Sequence, residues 1–289
     1  MIVVIIGPTG VGKTKLSLSL AKKYNAEIIN ADAMQIYKEM NIGTAKVSDT
    51  LGIPHHLLSI KSVNDTYSVC EYQNDGRRIL DELISKNKNV IIVGGTGLYI
   101  KALLYDYKFN IEEKCESYDN LTNEEILNEI NKIGTTDVHI NNRKRLIRTL
   151  NRLKNNKEEE VSGNNLLYNN VYFIGLTTER SILYDRINKR VDEMVFEGLI
   201  EEVRDLYDKG INTIPINTAI GYKELYKYFN GEISLEESID LIKRNSRRYA
   251  KRQYTWINNK MDVTWFNVDI NNFDNTIKEV EEYIKRTTN

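Results

Sequence analysis

Five short runs of mostly apolar, β-branched or aromatic residues punctuate the chain: Ile2–Ile6, Glu27–Asn30, Val90–Val93, Val171–Leu176 and Val263–Val268. Runs of that length and character read as strands. Between most of them the apolar positions return at helical spacing, as in Ser17–Tyr24 and Tyr72–Ile84. Strands alternating with helices predict an α/β fold, a parallel sheet flanked by helices. After Leu176, three longer helical patterns are expected: Ser181–Lys209, Ala219–Phe229 and Leu235–Asn258. Ser234 with Glu237 three residues on supplies a start signal for the last.

Between about residue 108 and residue 165 the pattern turns polar and charged, as in NIEEKCESYDNLTNEEILNEINK. Thr122 and Glu125 have the spacing of a capping box. A small helical insertion is therefore expected at 108–165, interrupting a core made of 1–107 and 166–289, with the Asn-rich stretch 154–170 forming a loop.

Composition narrows the class. With 289 residues, 41% of them hydrophobic and 28% charged, and only three prolines, the chain can bury a sizeable core and does not resemble a disordered protein. No apolar run approaches the roughly 20 residues of a membrane helix, and the opening MIVVIIG lacks the flanks of a signal peptide. Cys70 and Cys115 make neither a disulfide framework nor a metal pair, so a cytoplasmic protein without a membrane partner is expected. The net charge of −1 excludes a uniformly basic nucleic-acid binder. Yet Lys243, Arg244, Arg247, Arg248, Lys251, Arg252 and Lys260 form a stretch without one acid, in two rows along one helix face. Such rows suit nucleic-acid phosphates, or else a solvated helix face.

The most specific local signal is GPTGVGKT at residues 7–14, which fits G-x-x-x-x-G-K-S/T directly after a strand and before a helix. In that context Gly7, Pro8, Thr9, Gly10, Val11 and Gly12 turn backbone N–H groups toward a phosphate. Lys13 adds a cation and Thr14 is a candidate ligand for Mg2+. A phosphate cradle is compatible with nucleotide hydrolases, kinases and diphosphate-using transferases. The strand Val90–Val93, however, ends in GGTGLY without the acid that commonly holds Mg2+ in nucleotide hydrolases. Asp32 lies just past the carboxyl end of the second strand, where open α/β sheets place ligands, although a lone loop aspartate is also a common helix cap. The pair His55 and His56 reads as structural, since neighbours on a strand point to opposite faces.

The chain also resembles the tRNA dimethylallyltransferases, or isopentenyl-diphosphate:tRNA transferases, of bacterial type. The resemblance spans most of its length. It is carried by GPTGVGKT, NADAMQIYKEMNIGTAK, GIPHHLLSI, YSVCEY, VGGTGLYIKALLY, NRKRLIRTL, RINKRVDEMVFEGLIEEV and AIGYKELYKYFNGEISLEESIDLIKRNSRRYAKRQYTW. It implies a P-loop-like core that binds dimethylallyl diphosphate rather than ATP. By similarity Asp32 accepts the proton of an adenine amine, Arg190 stabilises the leaving diphosphate with Arg186 one turn earlier, Thr96 lies near the adenine and Thr9 lines the cavity. The family's RNA-facing positions map onto Asp32, Ala33, Met34 and Gln35; onto Lys144, Arg145, Leu146, Ile147 and Arg148; and onto Thr218, Ala219, Ile220, Gly221, Tyr222 and Lys223. Arg248, Lys251 and Arg252 of the basic stretch join them. The implied partners are a tRNA anticodon stem-loop and dimethylallyl diphosphate, acting with Mg2+ on a monomer. An adenylate isopentenyltransferase, a small-molecule P-loop kinase and a non-catalytic RNA-binding regulator are the competing readings.

Overall fold

The first strand, β1 (Ile2–Ile6), is buried at every position, as a central strand covered on both faces requires. In this computed structural model, which describes residues 1–109, 116–155 and 163–288, β1 leads through the glycine-rich turn into α1 (Lys13–Tyr24). The chain continues through β2 (Ala26–Asn30), a two-residue β3 (His55–His56), α2 (Val69–Ser85), β4 (Asn89–Gly94) and α3 (Gly97–Leu104). Next come α4 (Asn123–Ile133), α5 (Arg143–Lys154), β5 (Val171–Thr177), α6 (Arg180–Phe196) and α7 (Leu199–Asp208). The last elements are α8 (Ile214–Thr218), α9 (Tyr222–Phe229), α10 (Leu235–Lys260), β6 (Thr264–Asn267) and α11 (Phe273–Thr288).

The strands form one parallel sheet of order β3-β2-β4-β1-β5-β6. Val3 and Ile5 of β1 pack with Leu16 and Leu20 of α1 and with Val280 and Ile284 of α11. The period of two sends Val4 and Ile6 to the opposite face. Each fully buried Val or Ile contributes about 1.5–3 kcal/mol relative to exposure. The result is a P-loop-like α/β core, in agreement with the expected fold class, and all strands present their carboxyl ends to the same edge.

The chain divides into two compact units, Met1–Leu104 with Leu166–Asn289, and Tyr105–Asn165. In the second unit, α4 opens on the expected Thr122–Glu125 capping box, and Ile126 and Ile130 pack against Leu146 and Leu150 of α5. Arg143 ties the start of α5 to the carbonyls of Leu121, at 2.8 Å, and Tyr118, at 2.7 Å. Cys115 and part of the Asn-rich stretch lie outside the described residues, whereas Cys70 is a free, half-buried thiol.

Two expectations need correction, and one element is new. The helical pattern Ser181–Lys209 is two helices, because Gly198 adopts φ 105°, a left-handed conformation that starts α7 anew. The pattern Ala219–Phe229 begins as a helix only at Tyr222, since Ala219 is extended and Gly221 has φ 98°. The C-terminal helix α11 was not expected. Its charged residues mask the apolar positions Val280 and Ile284, which are fully buried or nearly so.

Candidate active site

The P-loop is shaped by what surrounds it. Gly12 has φ 108°, and a Cβ there would stand 2.5 Å from the Phe273 ring, so the turn demands glycine both for conformation and for space. Gly12 caps α1, whose first-turn N–H groups have no intrahelical acceptor and so could serve an anion. The Lys13 amine folds back onto the carbonyls of Gly7 and Pro8, both at 2.9 Å. Burial lowers its pKa to about 8, with Asp32 acting to raise it and Arg190 to lower it further.

Two arginines of α6 reach the same loop. Arg186 donates from Nε to the Gly10 carbonyl at 3.0 Å, and Arg190 donates to the Thr9 hydroxyl at 3.3 Å. The spacing of four residues sets them one turn apart on one face. Burial depresses the Arg190 pKa, which nearby Asp32 partly opposes. Beneath them Ile187 and Leu183 pack below Gly10.

Asp32 follows β2, and its turn is fixed by side chains. Its N–H donates to Asn30 Oδ1 at 3.2 Å, and Asn30 Nδ2 donates back to the Asp32 carbonyl at 3.1 Å. One carboxylate oxygen, Oδ1, accepts from the Met34 N–H at 3.0 Å. Thr96, just past β4, receives the Ala33 N–H on its hydroxyl at 3.1 Å and donates its own N–H to Ala31 at 3.1 Å. The loops after β2 and β4 are thus joined.

Two residues of α10 that sequence reasoning did not assign complete the centre. Gln253, 6% exposed, accepts the Thr9 N–H at 2.9 Å and donates to the Gly95 carbonyl at 3.0 Å, bridging the P-loop to the loop after β4. Tyr249 lines the site, and burial followed by the Asp32 charge pushes its phenol up to about 12. A polar side chain in a helix carries no sequence signal for such a bridge. The register Tyr249–Gln253, one turn apart inside the basic stretch, was the available hint.

Two cavities open here. One, of about 620 Å3, is lined by Thr9, Gly12, Lys13, Thr14, Arg186 and Arg190 among others. The other, of about 240 Å3, is lined by more apolar groups including Ile187, Val191, Met194 and Leu199, with Thr218 to Gly221 and Lys223. Thr9, Asp32, Thr44, Arg190 and Tyr249 line both. Thr96 lines neither cavity; its hydroxyl accepts the Ala33 N–H, and its side chain contacts Tyr249, which lines both.

The remaining sequence-based positions fall as follows. Lys144, Arg145 and Arg148 are exposed on α5, whereas Leu146 is fully buried and Ile147 packs on the same cluster. Thr218 is exposed and Lys223 half-exposed, but Gly221 and Tyr222 are buried, so Tyr222 offers no surface to a partner. In the basic stretch, Lys243 pairs with Asp192 at 2.6 Å and Arg247 with Asn188 at 2.5 Å, so these two cations are engaged by α6. Arg248, Lys251 and Arg252 are exposed and line a shallow groove with Trp256. His56 pairs with Glu27 at 2.8 Å, and His55 meets the Ile53 carbonyl at 2.8 Å and also lines the 620 Å3 cavity.

A sequence profile described as IPP transferase matches residues 35–260. The chain belongs to the IPP transferase family. A relative in that family, the tRNA dimethylallyltransferase of Anoxybacillus flavithermus, is 46% identical over 98% of this chain and 96% of its own. Among solved structures, the full-length tRNA isopentenylpyrophosphate transferase of Bacillus halodurans superposes with a TM-score of 0.76 at 42% identity, covering 98% of this chain and 95% of that one. A eukaryotic dimethylallyltransferase acting on tRNA gives a TM-score of 0.81 at 26% identity, covering 97% of this chain and 77% of its own. The resemblance read from the motifs is therefore that of a family member along nearly the whole chain.

Proposed function

We propose that this IPP transferase moves a dimethylallyl group from dimethylallyl diphosphate to the exocyclic amine of the adenine 3′-adjacent to a tRNA anticodon, releasing pyrophosphate. The observation that carries the reading is the position of Asp32 on the wall common to two cavities, one lined by the P-loop, Lys13, Arg186 and Arg190 and one mostly apolar. The P-loop and Lys13 hold the diphosphate, and the adenine enters on the side of Asp32. The amine nitrogen bonds to the allylic C1 while the C1–O bond breaks, and its electron pair leaves on the diphosphate. The amine proton passes to the Asp32 carboxylate, which raises the nucleophilicity of a nitrogen otherwise delocalised into the ring. Arg190, fixed by the Thr9 hydroxyl and with Arg186 one turn away, meets the charge that develops on the leaving group.

Mg2+ fits this donor set. Among the described residues there is no group of three His, Cys, Asp or Glu that could hold a metal. A small, hard cation that keeps most of its waters and takes phosphate oxygens needs few protein ligands, and the Thr14 hydroxyl at the head of α1, which is half-exposed, would supply one. When bound, it would help neutralise the diphosphate.

The tRNA is gripped by exposed cations, Lys144, Arg145 and Arg148 on α5 and Arg248, Lys251 and Arg252 on α10, with Met34, Gln35, Thr218, Ala219, Ile220 and Lys223 nearer the base. Extruding the adenine costs a few kcal/mol, which these backbone contacts offset. No helix among the described residues is long and apolar enough to cross a membrane. Mass spectrometry of tRNA nucleosides after incubation with dimethylallyl diphosphate and Mg2+ tests the reading: one adenosine gains a dimethylallyl group. Modification of free AMP as readily as tRNA would replace it with a nucleotide-directed transferase.

A further inference from the structure

Glu202 of α7 lines neither cavity, yet its carboxylate is fully engaged. Oε2 accepts the backbone N–H groups of Asn41, at 2.9 Å, and Ile42, at 2.8 Å. Oε1 accepts the Gly43 N–H at 3.1 Å and the Tyr222 hydroxyl at 2.6 Å. A carboxylate offers about four lone-pair sites, so these four donors saturate it.

Within the turn it holds, the other contacts are local: the Ala45 N–H donates to the Ile42 carbonyl at 2.9 Å, the Lys46 N–H to the Asn41 carbonyl at 3.0 Å and the Thr44 hydroxyl to the Met40 carbonyl at 2.7 Å. From Ala31 to Pro54 the backbone carries no helix or ladder strand, only turns and one isolated bridge at Tyr37. Gly43 lies flat on the Tyr222 ring, where a Cβ would come within 2.5 Å of a ring carbon. Lys46 closes the far end of the turn, donating to the Tyr37 carbonyl and to Asn41 Oδ1 at 2.9 Å. Directly after the clamped amides comes Thr44, which lines both cavities and whose carbonyl takes the Gln35 side-chain amide at 3.1 Å. Contacts thus run from Glu202 through the turn to Thr44 and Gln35, on the wall that Asp32 also lines.

We propose that Glu202 is a positioning residue for allyl transfer: its carboxylate, set by Tyr222, holds the Asn41–Lys46 turn in the shape that completes the wall common to both cavities. The inference rests on the transferase reading above. It assigns to Tyr222 a role behind the site instead of on its surface. A misplacement of about 1 Å in such a wall can cost about a hundredfold in rate without any reacting group being lost.

Glu202→Gln is the direct test, since the amide keeps the shape but presents an N–H to one of the two donor clusters. Its kcat for tRNA is expected to fall about tenfold or more, with the KM for dimethylallyl diphosphate changing by a smaller factor, because Thr44, Ala45 and Lys46 line the larger cavity while the P-loop keeps its own contacts. Amide hydrogen exchange at Asn41, Ile42 and Gly43 should accelerate in the same variant. Tyr222→Phe, which keeps the ring and the three amide contacts, should shift both readouts in the same direction by a smaller factor, and it decides the matter if Glu202→Gln does not fold. Wild-type activity in the same assay keeps the two readings apart. Its absence overturns the transferase reading itself, whereas wild-type transfer matched by the variants overturns the positioning role alone.

Discussion

Arg190 on α6 and Thr9 in the P-loop are joined by a hydrogen bond of 3.3 Å from guanidinium to hydroxyl, across a sequence separation of 181 residues. The contact places a half-buried cation on the wall common to the two cavities. Replacing Arg190 by alanine should lower kcat by about 10²–10³, the range found when one stabilising donor of a developing anion is lost. Arg190→Lys should recover only part of this, because an ammonium cannot hold Thr9 and the diphosphate in the same fork. Single-turnover kinetics on tRNA would read both.

Asp32→Asn separates geometry from proton transfer. The amide oxygen can still accept the Met34 N–H that Asp32 Oδ1 accepts at 3.0 Å, so the turn survives. The variant loses the proton acceptor, and turnover should fall by about 10²–10⁴ while tRNA affinity stays near wild type. Turnover within a few-fold of wild type would remove Asp32 from its role.

Lys13 sets a pH dependence. Its folded pKa is lowered to about 8, so in the free protein the amine is charged below that value and loses its charge as pH rises through it. Dimethylallyl diphosphate binds best to the charged amine. The kcat/KM for this substrate should therefore decline above about pH 8, with the corresponding limb of kcat displaced upward, because the bound diphosphate stabilises the ammonium. A flat kcat/KM between pH 7 and pH 9, read from initial rates with saturating tRNA, would contradict this.

Lys251 is exposed on α10 and touches neither cavity of the reacting centre. Lys251→Ala should weaken tRNA binding and reduce the slope of log K against log salt by about one unit, leaving the KM for dimethylallyl diphosphate unchanged. Filter binding across a salt series measures it. The same substitution at Lys243 should leave the slope nearly intact, because that amine is already paired with Asp192.

Much of this was legible in the sequence, for identifiable reasons. β1, β2 and β4 are buried at most of their positions and read as short apolar runs, β5 and β6 are legible from their β-branched and aromatic residues, and the capping boxes at Thr122 and Ser234 announce their helices. The P-loop could be read because a strand, four fixed positions and a helix coincide. What could not be read depended on partners distant in sequence. Gln253 looks like any polar helix residue until the Thr9 N–H and the Gly95 carbonyl are brought to it. The basic stretch gave no sign that Lys243 and Arg247 face α6, since only the fold sets Asp192 and Asn188 opposite them. Motif positions also carry no burial: Leu146 and Tyr222 sit in motifs that the family resemblance makes RNA-facing but point into cores.

The most direct test of the account is a crystal structure with a non-reactive thio-analogue of dimethylallyl diphosphate and an anticodon stem-loop. The account predicts the diphosphate on the backbone of residues 7–14, in contact with Lys13 and Arg190, with its allylic carbon between the P-loop and the extruded adenine and the amine of that adenine on Asp32. A diphosphate bound elsewhere, or a prenyl tail directed away from Asp32, would contradict it.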